Sequence, residues 1–366
     1  MNPLGPIPAS EAPDPADADR PSARRAGLRA VAVTCVKNEG PFLLEWIAWN
    51  RTLGIDGHLF YSNDCDDGTD VLLDALAKHG VATHLPNPAE GRRYQMEALR
   101  AAADHPLVRG ADWVWIADVD EFLHVRVGEG TLADLVAACG DPAAISVTFQ
   151  FMANGGVERL VDRPVVEQFT WTHDPDVWNG ETAQEVKTVV RGDFPLKYYG
   201  AHRPFPKDRR LRVDPPAWTD GSGREVPFKF RAATNKRRVR RFPAKGARAH
   251  ATLNHYALRS LGSYLVKNDR GDVNREGRPF EETYWRERND AAWEDRSILR
   301  WLPRLEAEIA RLKALDGVEA LHQACVAAHR AKEARLLRER SDLAGRLRSA
   351  PTVPPAELAL IEELGL

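Results

Sequence analysis

The sequence predicts an α/β fold: a doubly wound, mostly parallel, Rossmann-like sheet with a helical C-terminal extension. Three observations predict it. From about residue 28 to 151, short β-branched apolar runs alternate with amphipathic stretches of helical period, the rhythm of βαβ units. One run, Trp113 to Ala117, leads straight into Asp118 and Asp120, as a buried strand does at the ligand edge of an open sheet. Beyond Arg296 the chain is rich in Arg and Glu, stippled with Leu and Ala, a helical pattern.

In order, Ala30–Val36 reads as a first strand, and Pro41 in the following turn opens a helix over Phe42–Asn50. His58–Ser62 is a second strand, ending in the acidic turn Asn63–Thr69. The helix Val71–Lys78 stops at Gly80. Val81–Leu85 is a third strand and Arg92–Ala103 a helix; then come the Trp113 strand and a later one at Ile145–Phe151. After 151 the rhythm breaks. Asn154-Gly155-Gly156 is a flexible loop, and Val165–Trp171 and Glu185–Arg191 read as antiparallel strands. Residues 202–249 are rich in Arg, Lys and Pro, and include Lys236–Arg241; helical text resumes from Leu253. Ile298–Leu315 and Val318–Leu347 are predicted helices, and Pro351, Pro354 and Pro355 precede a last short one.

With 366 residues and 43% apolar content, one large or two modest domains are expected, with a sizeable core. A net charge of -2 gives no global bias toward nucleic acid or anionic membrane. The four cysteines lie far apart without zinc-like spacing, which suits a reducing, cytoplasmic compartment. No apolar run approaches the length of a membrane-spanning helix. Residues 1–26, rich in Pro, Ala and Asp, lack the apolar centre of a secretory signal and are expected to be a disordered tail.

Four features fall at or near the carboxyl ends of strands. Lys37-Asn38-Glu39 follows the first strand, where side chains and helix amides meet nucleotides in such sheets. Asn63–Thr69 follows the second, and reads equally as a turn with a helix cap. Gln95 sits on a helix face that either reaches back to the site or is simply solvated. The fourth is Asp118 and Asp120. Strand alternation would point both to one face, with Glu121 on the other in a structural role. Two such carboxylates repel. Either a hard divalent cation shared with a diphosphate offsets the charge, or the acids cap the next turn and pair with Lys or Arg.

Taken together, Val33–Trp46, Asp66–Thr69 and Asp118–Phe122 resemble the family 2 glycosyltransferases, and within them most closely the bacterial branch related to family 92. The resemblance implies a GT-A fold over residues 27–275. Its nucleotide-sugar-binding half would be 28–151, its acceptor half 152–275 with the basic insertion 202–249, and 276–366 a helical region. It implies a nucleotide-diphosphate sugar donor, a Mn²⁺ or Mg²⁺ ion, and a glycan or glycolipid acceptor. Thr34, Lys37 and Glu39 fall where the family's first loop contacts the nucleoside. Asn63 stands where many members carry an Asp, leaving the base open. Asp67 matches the acidic residue of the second turn, Asp118 the residue near ribose and metal, and Asp120 the principal metal ligand. Asn254–Gly271 resembles the branch's H-Y...S...F..K..R-G segment, with Tyr264 for the usual Phe. It makes His255 a candidate metal ligand, against a satisfied core His, and Lys267 with Arg270 a diphosphate clamp. Lys187 and His202 also match, and are expected around the site or on the acceptor side.

The implied reaction is attack of an acceptor hydroxyl on the anomeric carbon with inversion, which needs a general base. The family's acidic pair is missing in that region, and Asp174 and Glu181 are the candidates. Residues 202–249 would hold an acidic acceptor or touch the inner face of a membrane, or form a solvated loop. A sugar nucleotidyltransferase should show a Gly-rich phosphate loop, and Lys37–Pro41 is not one. A non-catalytic interaction protein would bind through the basic segment and C-terminal helices. Nucleic-acid binding is not expected, because aromatic residues rarely interrupt the basic run. The C-terminal helices fit either packing on their own chain or a dimer.

Overall fold

The first half of the chain alternates as its apolar pattern requires: β1 (Ala30–Val36), α1 (Gly40–Thr52), β2 (Gly57–Ser62), α2 (Thr69–Lys78), β3 (Thr83–Pro86), α3 (Tyr94–Asp104), α4 (Pro106–Arg109), β4 (Trp113–Ile116), β5 (Glu121–Val125), α5 (Leu132–Ala138) and β6 (Ala144–Phe151). Shorter pieces follow: α6 (Val165–Gln168), β7 (Trp171–Thr172), β8 (Ala183–Arg191), β9 (Leu196–Tyr199), β10 (Pro204–Pro206), β11 (Trp218–Asp220), α7 (Phe228–Arg231), β12 (Arg241–Pro243) and β13 (Ala251–His255). The rest is mainly helical, with α8 (Leu261–Arg270), α9 (Glu282–Arg288), β14 (Trp293–Glu294), α10 (Leu302–Lys313), α11 (Val318–Glu339) and α12 (Ser341–Ser349). This computed structural model describes residues 28–90, 93–174, 183–207, 216–231, 241–243, 245–271 and 282–350. The 1–26 tail, Glu181, parts of the basic insertion (208–215, 232–240 and 244) and the last expected helix lie outside the described residues.

The central sheet is ten-stranded, in the order β3-β2-β1-β4-β8-β6-β13-β5, with β11 beside β6 and β12 beside β8. β3, β2, β1 and β4 are all parallel. β8 enters antiparallel between β4 and β6. β6 changes partner along its length: residues 144–148 face β8, whereas 149–151 face β13. This is the expected α/β class, a large and mostly parallel sheet with helices after it. Alternation along β1 shows the double winding. Ala30 and Ala32 join the core under α1 and α2, while Val31 and Val33 join the core under α3.

The expected strand Val165–Trp171 is only partly formed. Pro164 precedes a helical turn, α6, and pairing begins at Trp171. Its first two amides donate to the buried Glu45 carboxylate, Val165 N at 2.8 Å and Val166 N at 3.2 Å, a long-range cap on the helical turn that outweighs strand propensity. Likewise Ala251–His255 forms β13 before helix begins at Leu261.

Two packing features fix the region after β4. β5 lies at the end of the sheet path, and α1 covers it. Trp46 Nε1 donates to Glu121 O at 3.1 Å and Trp49 Nε1 to Leu123 O at 3.0 Å, so two indoles one turn apart satisfy edge carbonyls. The C-terminal helices fold back onto the same chain. Leu305, Leu312, Val318 and Cys325 enter the α1 core, and Leu336 and Leu347 pack with Tyr264 and Trp285. Glycine permits this approach at two points: a Cβ on Gly40 would lie 2.5 Å from Cys325 Sγ, and one on Gly262 would lie 2.0 Å from Glu333 Oε1. Among the described residues, no helix is long and apolar enough to cross a membrane.

Candidate functional site

β4 ends at Ile116, two residues before Asp118, because Asp118 to Glu121 close a turn through Glu121 N to Asp118 O at 3.0 Å. The acids therefore do not project as a strand pair. They divide between two lysines. Asp118, the more exposed, accepts from Lys187 Nζ at 3.0 Å and from Gln95 Nε2 at 3.2 Å. The Lys187 ammonium, 1% exposed, also lies 3.1 Å from Glu121 Oε2, and that oxygen accepts from Asp118 N at 2.9 Å. Asp120 turns the other way: its Oδ2 accepts from Lys267 Nζ at 2.7 Å, and its Oδ1 lies 3.5 Å from His255 Nε2.

The charges follow from these neighbours. Burial opposes ionisation of Asp120, but Lys267 and His255 overcome it and hold the carboxyl well below its usual range. Burial pushes Glu121 up, because Lys187 only partly offsets it and Asp118 and Asp120 add negative charge. Burial works against the Lys187 ammonium, yet Asp118 and Glu121 more than compensate and keep it protonated. His255 is lowered by burial, which Asp120 only partly counters, so a neutral imidazole is available.

A second ionic cluster holds the loop after β1. Glu39 is buried between Arg259 Nη1 at 2.8 Å and Arg270 Nη2 at 2.5 Å. Burial opposes its charge, and Arg270 and then Arg259 reverse that, so its carboxyl lies below the usual range. Arg259 also donates to Val119 O at 3.2 Å, tying the turn after β4 to the loop after β1. Its guanidinium lies over the Phe42 ring at 3.5 Å.

The other predicted residues are distributed around these clusters. Thr34 is buried in β1, and its hydroxyl has no hydrogen-bond partner among the described residues. Lys37 Nζ lies 3.7 Å from Asp64 Oδ2. Asn63 accepts from Cys35 Sγ at 3.7 Å. Asp67 accepts from Gly40 N at 3.2 Å, Thr69 N at 2.9 Å and Thr69 Oγ1 at 2.6 Å, which joins α1 to the start of α2. Lys267 and Arg270, predicted as one clamp, share α8 but engage Asp120 and Glu39 respectively. Asp174 is half-buried just beyond β7, beside the buried His173. A pocket of about 370 Å³ is lined by Asn38, Asp66, Asp67, His329, Lys332 and Arg335, so α11 walls the two loops expected to meet the nucleoside.

Arg259 joins the two loops without a sequence signal of that role. Its φ of 53°, uncommon for a side chain of this size, leaves no mark in the sequence. Glu121 does not take the far face that strand alternation predicts, because it closes a turn with Asp118.

Asp120, Glu121 and His255 each bring a ligand atom within 4.8 Å of the others, a spacing that suits a divalent cation, although Glu121 Oε2 is already engaged by Lys187 at 3.1 Å. His255 Nδ1 is buried without a hydrogen-bond partner among the described residues. Carboxylate oxygens with a neutral imidazole suit ions such as Mn²⁺. Asp118 lies outside this group of three, on the Lys187 side.

The motif-bearing stretch has known relatives. Residues 32–198 match the family model described as glycosyltransferase family 92. A glycosyltransferase family 92 protein of Oryza sativa subsp. japonica is 27% identical over 135 residues, which is 36% of this chain and 22% of that protein. One from Ricinus communis is 32% identical over 100 residues, 26% of this chain and 17% of that protein. The matches thus span about a fifth of the length of these relatives. Among solved structures, that of S. aureus TarS 1-349 aligns over 86% of this chain and 92% of that one, with a TM-score of 0.32 and 11% identity.

Proposed function

We propose that this protein is a metal-dependent glycosyltransferase of GT-A type, transferring a sugar from a nucleotide-diphosphate sugar to a hydroxyl of a glycan or glycolipid, with inversion. One observation supports this most strongly. The stretch similar to family 92 carries the Asp118–Glu121 turn, and Asp120 of that turn pairs with Lys267 and His255 at the carboxyl edge of the sheet. That edge is where open α/β sheets bind ligands.

In this mechanism the end of β1 at Thr34, the loop with Lys37 and Glu39, and Asn63 of the second turn face the nucleoside, while Asp67 holds that turn against α1. Asp118, oriented by Gln95 and Lys187, lies toward the ribose. Asp120 and His255 would hold the cation, with Glu121 beside them. When bound, that ion supplies Lewis-acid stabilisation of the leaving diphosphate. Lys267, which rests on Asp120, would offer its ammonium to a phosphate oxygen, and Arg270, fixed by Glu39, adds positive charge nearby. Asp174 or Glu181 takes the acceptor proton. Family 2 ancestry, a cytoplasmic setting and contact of residues 202–249 with the inner face of a membrane belong to the same proposal.

The test is a panel of UDP- and GDP-sugars with Mn²⁺ or Mg²⁺, read by NMR of the products. Release of nucleoside diphosphate with inverted configuration in the glycoside supports the proposal. Pyrophosphate release from a nucleoside triphosphate and a sugar phosphate would instead make the protein a nucleotidyltransferase.

A further inference from the structure

Lys187 is the one cation facing both Asp118 and Glu121 within salt-bridge distance among the described residues. It is 1% exposed and reaches the turn from β8, which lies directly beside β4 in the sheet. Its strand therefore lies beside the one that delivers the turn, and two carboxylates hold the ammonium there. Glu121 Oε2 already accepts two hydrogen-bonding groups, Lys187 Nζ at 3.1 Å and Asp118 N at 2.9 Å. Asp120 and His255 differ. The lysine on Asp120, Lys267, is 15% exposed against 1% for Lys187 and also donates to Ala257 O at 3.1 Å, and His255 Nε2 lies 3.5 Å from Asp120 Oδ1.

From this asymmetry we infer that Lys187 is a positioning residue that keeps Glu121 and Asp118 out of the resting metal site. Lys187 acts there as a permanent organic cation. Without donor, the ion has only Asp120 and His255, and it binds weakly. The donor's diphosphate supplies further oxygens, as phosphates commonly do for such ions, so metal and donor load together. The inference rests on the metal-dependent reading above and adds a property to it: the coupling of metal affinity to donor is set by a buried lysine.

The test measures Mn²⁺ binding by electron paramagnetic resonance, without and with UDP or GDP, alongside the melting temperature with and without Mn²⁺. In Lys187→Met the freed carboxylates join the site. Donor-free Mn²⁺ affinity should rise on the order of 10- to 100-fold, the scale on which groups contacting metal ligands tune affinity. Mn²⁺ should also raise the melting temperature of this variant more than that of wild type. A purely structural lysine would lower the melting temperature without making it metal-responsive. Lys187→Arg should behave as wild type.

Should Lys187→Met not fold, Glu121→Gln gives the same answer from the other side. Donor-free affinity should be unchanged in Glu121→Gln and lost in Asp120→Asn. Equal donor-free affinity in Lys187→Met and wild type, or a Glu121→Gln loss matching Asp120→Asn, overturns the inference while leaving metal-dependent donor binding intact. Absence of Mn²⁺ binding to wild type, with or without nucleotide, would remove the underlying reading as well.

Discussion

Two acidic turns leave the sheet at its carboxyl edge, Asp66–Thr69 after β2 and Asp118–Glu121 after β4, and their carboxylates are satisfied by different kinds of partner. Asp67 is bound by the amides of Gly40 and Thr69 and by the Thr69 hydroxyl, all local to two helix starts. Asp120 is bound by Lys267, 147 residues away along the chain, and by His255. Amides are fixed and cannot be displaced without unravelling a helix end. An ammonium on a flexible stem can move to another anion. The charges follow suit: burial raises Asp67 above the usual carboxylate value, whereas Asp120 is held well below it. The lesson is that Asp67, held by backbone, supports the fold, while Asp120, held by an ammonium, is poised to exchange partners.

Breaking the second turn should have the largest functional effect. Asp120→Asn is expected to lower nucleotide-dependent Mn²⁺ affinity by about 100-fold, the upper part of the range for altered metal surroundings, and turnover by on the order of 10²–10³. Metal titration and initial rates check both. Next is Glu39→Gln, which leaves Arg259 and Arg270 without their shared anion. It should cost about 3–5 kcal/mol in urea unfolding, the range for breaking a buried ion pair from one side. A loss below about 1 kcal/mol would mean that solvent already screens the cluster.

Smaller effects sharpen the contrast. Asp67→Ala removes an acceptor at the α2 start and should cost about 1–2 kcal/mol, with Mn²⁺ affinity unchanged; a drop in metal affinity would put the first turn in the site. The pH dependence should differ in sign between the two turns. Asp120, depressed on folding, contributes stability above the ordinary value of 3.8 and loses it as pH falls through its folded value. Asp67, raised on folding, contributes below that value and loses its contribution as pH rises through its folded value. Denaturation from pH 3 to 8 should therefore show a flattened acid limb in Asp120→Asn. Asp67→Asn should gain on wild type as pH rises. Equal curves for the two variants would erase the distinction.

The sheet was legible because β1, β2 and β4 are short apolar runs separated by stretches of helical period. Asp118 and Asp120 stood out for the same reason, as charges at the end of such a run. Their division between Lys187 and Lys267 was not legible, since it depends on where β4 stops and on residues brought in from β8 and α8. Gln95 stood between the site and solvent, and only its bond to Asp118 decides. The Trp46 and Trp49 bonds to β5 were not legible either, because amphipathic spacing says that indoles are buried without saying which carbonyls they meet. Arg259 illustrates the same limit: its left-handed backbone conformation and its reach to Val119 O are set by tertiary packing.

The central claim, that Asp120 holds a metal on which donor binding depends, is met most directly by calorimetry of UDP and GDP with Mn²⁺ or with EDTA. Wild type, Asp120→Asn and Asp67→Asn would be compared. Binding of one nucleotide that needs Mn²⁺, is lost in Asp120→Asn and survives in Asp67→Asn is the predicted result. Nucleotide binding indifferent to EDTA and to Asp120→Asn would contradict it.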